Sequence, residues 1–424
     1  MSSKHTSNVS VLRPTLVKDT LRKFIARQPI FGRKQEVYGY ELLFRSGLHD
    51  FFDGSDPEQA TYTVMADSLF LHGLEMLTEN RRAFINCTRE VLLSDYVLML
   101  PKENVALEIV EGVEPDPEVL AACRRLKDLG YCLTLDDVCS LERPEPFLGM
   151  VDIIKVEFPG TTPEQRAEMV RRFGSQGISM LAEKVETRSE FEEAAAMGYQ
   201  YFQGYFFSKP QLISSRDIPA FKLNYLRILQ AVHRAAIDLR EIEQIIKTEP
   251  ALCYKLLRYL NSPVFGFRGH IRSIRHAVSM LGENEIRCWV SLLALASMGE
   301  DKPAELVVTS LVRASWCESL AAKVGRRDRK EDFFLLGLFS MIDAILDRPL
   351  PEILAQLPVP EDVKVALLQR NTRLAQVLGM VEAYERGEWD TFTDLAEALH
   401  MDEAIMPEMY LKAVDWAHQI FRLS

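Results

Sequence analysis

The chain has 424 residues, of which 47% are apolar, and a formal net charge of -11 at pH 7. This length suits two domains better than one, and the apolar fraction excludes a mainly disordered chain. The negative charge argues against duplex nucleic acid as a partner but permits a small anionic ligand, because a bound metal ion can reverse the local sign of a site.

Seven cysteines with no CxxC pair among them argue against a disulfide framework. The polar N-terminal segment has no apolar core of signal-peptide length. No uncharged apolar run reaches the roughly 18 residues that a membrane helix needs. The protein is therefore predicted to be cytoplasmic, with no membrane partner.

The predicted elements begin after a polar segment at 1–22, which is expected to be a flexible tail. From 23 to 212, short apolar or β-branched runs alternate with helical stretches such as 117–129 and 163–173. This pattern predicts a (β/α)8 barrel of the TIM type, in the α/β class. A doubly wound open sheet is the competing architecture, but no glycine-rich phosphate loop follows an early strand. The predicted strands cover 24–30, 37–44, 83–87, 105–110, 131–135, 151–156, 178–182 and 201–207.

The spacing of apolar residues changes after a polar segment at 211–219, which ends in a proline and is typical of a domain junction. Beyond it, apolar residues recur at three- and four-residue spacing, as at Leu226 and Leu229, and prolines interrupt the pattern. Residues 213–424 are therefore predicted to form an all-α second domain.

Most of the predicted strands end in a residue that can bind a metal ion or a phosphate. The carboxyl ends of the strands of a β/α barrel converge on one face, where active sites lie. Many carboxylates there would repel one another unless a divalent cation lay among them, and oxygen ligands favour Mg2+ or Mn2+. Any one of these residues is more often a helix cap or an ion pair, but the whole set favours a ligand site. The set comprises Glu41, Asn86, Glu108, Asp136, Asp137, Lys155, Glu183, Glu186 and Gln203.

The first half resembles the EAL domain of cyclic-di-GMP phosphodiesterases over nearly its whole length. The order and spacing of the matching stretches carry the resemblance together, since each stretch alone is a weak signal. They are RQPIF (27–31), YELLFR (40–45), FINC (84–87), LEIVE (107–111), LTLDD (133–137), IIKVE (153–157), LAEKVET (181–187) and FQGYFFSKP (202–210).

The resemblance implies a role for each matched residue. Lys155 would orient the attacking water, Glu183 would act as general base, and Glu186 would complete the catalytic set. Gln28, Arg45 and Gln203 would contact cyclic-di-GMP, and the product would be linear pGpG. An active barrel would hold two Mg2+ or Mn2+ ions, bound by Glu41, Asn86, Glu108, Asp136 and Asp137.

Metal-assisted hydrolysis suits these residue types, because a bound metal ion lowers the pKa of its water and a lysine offsets charge on the phosphate. Three features depart from the family. Leu42 replaces the alanine of its name motif, a packing change that leaves Glu41 intact. The family's glycine-rich continuation after Asp137 is replaced by VCSLERP (138–144), in which Val138 and Cys139 resist the same backbone conformations. Its glycine between the last two glutamates is Lys184, whose cation could compete with metal or, as is more common, face solvent. Two hypotheses therefore remain: an active phosphodiesterase, or a module that binds the dinucleotide or a protein without useful turnover.

The second half resembles the HDOD domain, a helical relative of the HD phosphohydrolases, at 241–266, 271–282 and 333–346. HD enzymes need a His-Asp pair, but this chain has Ser340 and Met341 there, and Ala314 at the earlier histidine position. No catalytic metal site can be built from these residues. The half is predicted to be non-catalytic and to bind the barrel or an unidentified protein partner. Together the halves resemble bacterial EAL–HDOD signalling proteins of the YuxH-like type, with which a homodimer is compatible.

Overall fold

The first half of the protein is a closed barrel of eight strands that follow one another in sequence order. The protein is described here from a computed structural model, over residues 25–45, 74–209, 220–233, 283–357 and 359–423. The closed barrel confirms the predicted (β/α)8 architecture over the open sheet. Its strands are β1 Ile25–Gly32, β2 Val37–Phe44, β3 Arg82–Cys87, β4 Val105–Ile109, β5 Cys132–Val138, β6 Ile153–Glu157, β7 Ser179–Glu183 and β8 Tyr201–Gln203.

The first strand runs in the opposite direction to the other seven. It pairs antiparallel with both β2 and β8, whereas the remaining neighbours pair in parallel. The carboxyl ends of β2 to β8 therefore meet at one mouth of the barrel, together with the amino end of β1. In this register Gln28 lies opposite Glu41, so residues that begin β1 share the mouth with residues that end the other strands.

Two strands end three or more residues away from their predicted ends. β8 stops at Gln203, because Gly204 has a φ of 142° and packs so closely that a Cβ would lie 2.1 Å from the Val185 carbonyl oxygen. β5 continues to Val138 through a register shift against β6, and Asp137 within it has a φ of 48°. A bulge of this kind redirects the side chain that it carries, which here is the second acid of the adjacent pair.

Three of the helices around the barrel begin at side-chain caps that the sequence supplies. Asp116 accepts hydrogen bonds from two backbone amides of the helix that follows it, and Thr162 and Thr187 each form a capping box. These caps fix where the helices start and so hold the loops that follow each strand. The helices are α1 Arg89–Leu93, α2 Pro117–Asp128, α3 Pro163–Gly174 and α4 Arg188–Met197.

The second half is helical throughout its described part, as predicted. Its core centres on Trp316, whose ring lies 4.9 Å from that of Tyr384 and 5.1 Å from that of Tyr410. Its helices are α5 Ala220–Val232, α6 Glu283–Met298, α7 Ala304–Ala321, α8 Lys330–Phe339, α9 Ile342–Leu346, α10 Leu350–Gln356, α11 Glu361–Gln369, α12 Arg373–Arg386, α13 Trp389–Ala398 and α14 Met406–Leu423.

None of the helices in the described ranges is long and apolar enough to cross a membrane. Four segments singled out in the sequence lie outside those ranges. They are the predicted tail at 1–22, the predicted junction at 211–219, and the HDOD-like stretches at 241–266 and 271–282.

Candidate functional site

A lysine surrounded by carboxylates fills the mouth of the barrel where the strand ends converge. The Lys155 ammonium lies 3.1 Å from Glu41, 2.9 Å from Glu108, 2.7 Å from Asp136 and 2.9 Å from Glu183, measured from Nζ to the nearer carboxylate oxygen. The lysine side chain is fully buried, and the four carboxylates are at most 10% exposed. We call these five residues the carboxylate cage.

The cage forms because successive parallel strands present equivalent positions to the same interior. Glu41 lies on β2, Glu108 on β4, Asp136 on β5, Lys155 on β6 and Glu183 on β7. Parallel pairing brings residues near the strand ends to similar heights, as for Asn86 of β3 opposite Glu108, while Lys155 lies opposite Leu181, two residues before Glu183. The sequence pattern of polar residues near strand ends therefore becomes one three-dimensional site.

The cage contains four carboxyl groups and one ammonium, and their burial and proximity change the pKa values of its members. Burial, followed by the charge of Glu41, raises the pKa of Glu108 well above its ordinary value. Burial also raises the pKa of Glu183, to about 8. Burial by itself would lower the pKa of the Lys155 ammonium, but the carboxylates, Asp136 most strongly, raise it well above the usual value. Lys155 is therefore a permanent cation, while some of the carboxyl groups hold protons in the absence of another cation.

Several buried oxygen atoms at this mouth have no hydrogen-bond donor. They include Glu108 Oε2, Glu183 Oε2, Asn86 Oδ1 and Gln203 Oε1. A buried acceptor without a donor costs free energy, and a hard divalent cation is the ligand that carboxylate and amide oxygens satisfy best. The residues present therefore fit Mg2+ or Mn2+ better than a softer metal.

A second acidic group lies at the edge of the cage. Glu111, Asp136 and Asp137 each place one carboxylate oxygen so that all three lie within 4.8 Å of one another. Lys184 approaches the same edge, with Nζ 3.2 Å from Asp137 Oδ1 and 2.6 Å from Glu157 Oε1. The hydrogen bond from Lys184, followed by that from the Cys139 thiol, lowers the pKa of Glu157.

The rim of the mouth carries the three residues expected to contact the dinucleotide. We call Gln28, Arg45 and Gln203 the rim residues. Gln203 donates to Glu41 Oε2 at 2.7 Å and to Gln28 Oε1 at 3.2 Å, which joins the rim to the cage. Asn86 donates to the other oxygen of Glu41 at 3.1 Å.

Glu186 lies apart from the cage, because its carboxylate is 64% exposed and pairs with Lys209 at 2.9 Å. The structure thus brings together every residue of the predicted site except Glu186 and Arg45.

Arg45 follows β2 and turns toward the helical half. Its guanidinium pairs with the carboxylate of Glu403 and donates to Thr393 Oγ1 at 2.6 Å. Gln28 makes a similar contact, since its amide donates to the Arg386 carbonyl oxygen at 3.2 Å. The helical half therefore engages two residues of the rim directly.

A buried charge network joins the two halves, and the sequence pattern does not predict it. Arg27 Nη2 of β1 lies 3.4 Å from Glu305 Oε1 of α7 and 3.0 Å from His418 Nε2 of α14, and Tyr40 donates to Glu305 Oε2 at 2.9 Å. Glu305 is one of two acids in the largely apolar helix α7, and no spacing rule connects Arg27 with a residue 278 positions later.

Residues that cannot bind a catalytic metal occupy the histidine and aspartate positions of an HD enzyme here. Ala314 of α7 and Met341 are buried apolar side chains. Ser340 accepts a hydrogen bond from Arg313 Nη1 at 3.2 Å, and Asp343 accepts one from the backbone amide of Ala344 at 2.9 Å.

A closed barrel with an acidic mouth, followed by a helical half, defines a two-domain class, and the chain belongs to the family of proteins that join an EAL domain to an HDOD domain. The EAL family model matches residues 78–210 and the HDOD family model matches residues 218–358.

Two relatives match along almost the whole chain. Uncharacterized protein YuxH of Bacillus subtilis (strain 168) is 35% identical over 408 residues, which cover 94% of this chain and 99% of that protein. Cyclic di-GMP phosphodiesterase CdgJ of Vibrio cholerae serotype O1 is 34% identical over 403 residues, which cover 94% and 93%. Among solved structures, the chain is similar to an EAL domain protein from Listeria monocytogenes EGD-e, with 23% identity, a TM-score of 0.32, and coverage of 48% of this chain and 94% of that one.

Proposed function

We propose that the barrel hydrolyses cyclic-di-GMP to linear pGpG and that the helical half is a non-catalytic regulatory domain. The observation that carries the proposal is the carboxylate cage, which places four carboxylates around one buried ammonium at the barrel mouth. Cyclic-di-GMP is proposed as the substrate because the relative CdgJ, 34% identical along most of the chain, is named as its phosphodiesterase.

Hydrolysis requires water to attack phosphorus while the bond from phosphorus to the ribose 3′-oxygen breaks. Glu183 would accept the proton from the water, a role supported by its buried Oε2, which has no hydrogen-bond donor. Lys155 is held by the cage so that its ammonium can orient the water and offset charge that develops on the phosphate. Mg2+ or Mn2+ bound by Glu41, Asn86, Glu108, Asp136 and Asp137 would lower the pKa of the water and neutralise the phosphate.

The rim residues would position the dinucleotide. Arg45 offers a planar, charged donor to a phosphate, and Gln28 and Gln203 offer amides that can bind guanine or ribose. The hydrogen bonds of Gln203 to Gln28 and to Glu41 would hold the substrate in a fixed relation to the cage.

A second candidate function is binding of cyclic-di-GMP without turnover. The observation that favours it is the ion pair between Lys184 and Asp137, which engages one of the proposed metal ligands. In that case the barrel would act as a sensor that reports the dinucleotide to the helical half.

Turnover of cyclic-di-GMP with Mn2+ separates the two functions. The full-length protein is expected to form pGpG, and Glu41→Ala is expected to lose at least about 100-fold of this activity because a cage ligand is removed. Glu103→Ala is the matched control, since Glu103 is an exposed acid that precedes β4, at the end of that strand away from the mouth. Binding of cyclic-di-GMP by wild type without any pGpG would overturn the enzyme proposal and leave the sensor.

The contacts of the helical half with Arg45 and Gln28 suggest how regulation would work. They use the same donors that the dinucleotide would need, so docking of the helical half and binding of substrate compete. Close approach is possible because Gly387, at the end of α12, packs on Leu43 of β2, where a Cβ would lie 2.8 Å from Leu43 Cδ1. A partner that draws the helical half away would therefore activate the barrel.

Glu403→Gln is expected to lower the KM for cyclic-di-GMP by about 2- to 5-fold, because a partly exposed ion pair is worth up to roughly 1 kcal/mol. The kcat should not change, since Arg45 lies outside the cage. Steady-state kinetics on full-length protein provide the measurement, with Glu397→Gln on α13, an exposed acid, as the control. An unchanged or higher KM in the Glu403 variant would contradict competition at the rim.

A further inference from the structure

We infer that Lys184 is a built-in cation of the active site, which takes the place of a second divalent ion beside Asp137 and limits the barrel to one. The inference rests on the proposed metal-dependent function and deepens it by assigning the number of ions. The family resemblance implies two ions per barrel, so this chain would differ from its family at one named residue.

The geometry of the Lys184 side chain carries the first step. Its ammonium bridges two carboxylates that come from different strands, at 3.2 Å from Asp137 of β5 and 2.6 Å from Glu157 of β6. A lysine that merely faced solvent would not bring both acids to one nitrogen. Cys139 donates to the other oxygen of Glu157 at 3.3 Å, which holds this carboxylate in place beneath the ammonium.

The backbone carries the second step. Lys184 has a φ of 54° and Asp137 a φ of 48°, so both residues adopt the left-handed conformation that L-residues rarely occupy. Such conformations persist only where the surroundings impose them, and they cluster at functional sites. Here the bulge in β5 and the turn after β7 aim the two side chains at each other.

Electrostatics carries the third step. Glu111, Asp136 and Asp137 form the acidic group whose oxygens could hold a further ion at the edge of the cage. An ion there would share Asp137 with the Lys184 ammonium and would be repelled by it at close range. Within the cage, by contrast, Glu108 Oε2, Glu183 Oε2 and Asn86 Oδ1 have no donor and stay available to one ion.

Titrating metal-free, full-length protein with Mn2+ measures the stoichiometry without any assay of activity. Binding is monitored by calorimetry and by the electron paramagnetic resonance of free Mn2+. Wild type is expected to bind one ion per chain. Lys184→Gly, which removes the ammonium and suits the left-handed backbone, is expected to bind two, with affinity for the second ion at least about tenfold higher than in wild type. Lys184→Arg should keep the wild-type stoichiometry because it retains the charge.

Lys209→Ala is the matched control, since Lys209 is a similarly exposed lysine that pairs with an acid near the mouth but outside the cage. Two ions in wild type, or one ion in Lys184→Gly, would overturn the inference. Absence of Mn2+ binding in all variants would overturn both the inference and the metal-dependent function. One ion in wild type without turnover would support the inference and count against the function alone.

Discussion

Lys155→Met is expected to lower phosphodiester hydrolysis by at least about 100-fold and to destabilise the metal-free protein by roughly 3–5 kcal/mol. The substitution keeps most of the side-chain volume but removes the only ammonium among four buried carboxylates. Without it, the carboxylates repel one another or take up protons, and both outcomes cost free energy. Urea unfolding of metal-free protein measures the loss.

Two conditions sharpen this prediction. Mn2+ should recover much of the lost stability, because a divalent ion can replace the missing charge. The loss should also be smaller at about pH 5 than at about pH 8, since protonation relieves repulsion among carboxyl groups whose pKa values are already raised, as for Glu183. Lys102→Met is the control, because Lys102 is exposed and donates to the Leu129 carbonyl oxygen outside the cage. Equal stability of the Lys155 and Lys102 variants would show that the cage does not depend on the ammonium.

The barrel and most of the cage could be predicted from the sequence because they follow from local rules. Short β-branched runs separated by capped helices specify parallel strands, and parallel pairing places residues at strand ends beside one another. Glu108, Asp136 and Lys155 therefore meet at the mouth because each lies near the end of a parallel strand. The same position near a predicted strand end made them candidates in the sequence. Gln28 meets them for a different reason, since β1 runs antiparallel, and the strand pattern contained nothing that set its direction.

The environment of Lys184 could not be predicted, because it depends on backbone conformation after a strand ends. Spacing places Lys184 next to Glu183 but says nothing about the direction of its side chain, and solvent was the more common expectation. The left-handed φ of Lys184 and of Asp137 turns both side chains to the edge of the cage. Local propensity disfavours that conformation, so only the folded surroundings could reveal it.

The contacts between the halves could not be predicted either, because they join residues far apart in the chain. Arg45 lies 358 positions before its partner Glu403, and no periodicity links them. Each half supplies residues that look like ordinary surface or core positions when read alone. Long-range ion pairs of this kind emerge only when the two folded surfaces meet.

The buried network that joins the halves should dominate their coupling. Glu305→Ala is expected to destabilise the protein by roughly 3–5 kcal/mol, because it leaves Arg27 buried beside His418 without a carboxylate. Glu318→Ala, on the same helix, is the control and should cost at most about 1 kcal/mol, since that ion pair is partly exposed and 3.6 Å long.

The position of the tryptophans turns this substitution into a test of domain coupling. All four tryptophans, at 289, 316, 389 and 416, lie in the helical half, so their fluorescence reports that half while far-ultraviolet circular dichroism reports both. In urea the two signals of wild type should coincide, because the Arg27–Glu305 network makes the halves unfold together. In Glu305→Ala they should separate, with the half of lower intrinsic stability unfolding first. Coincident transitions in the variant would mean that apolar packing, and not the buried charges, couples the helical half to the barrel.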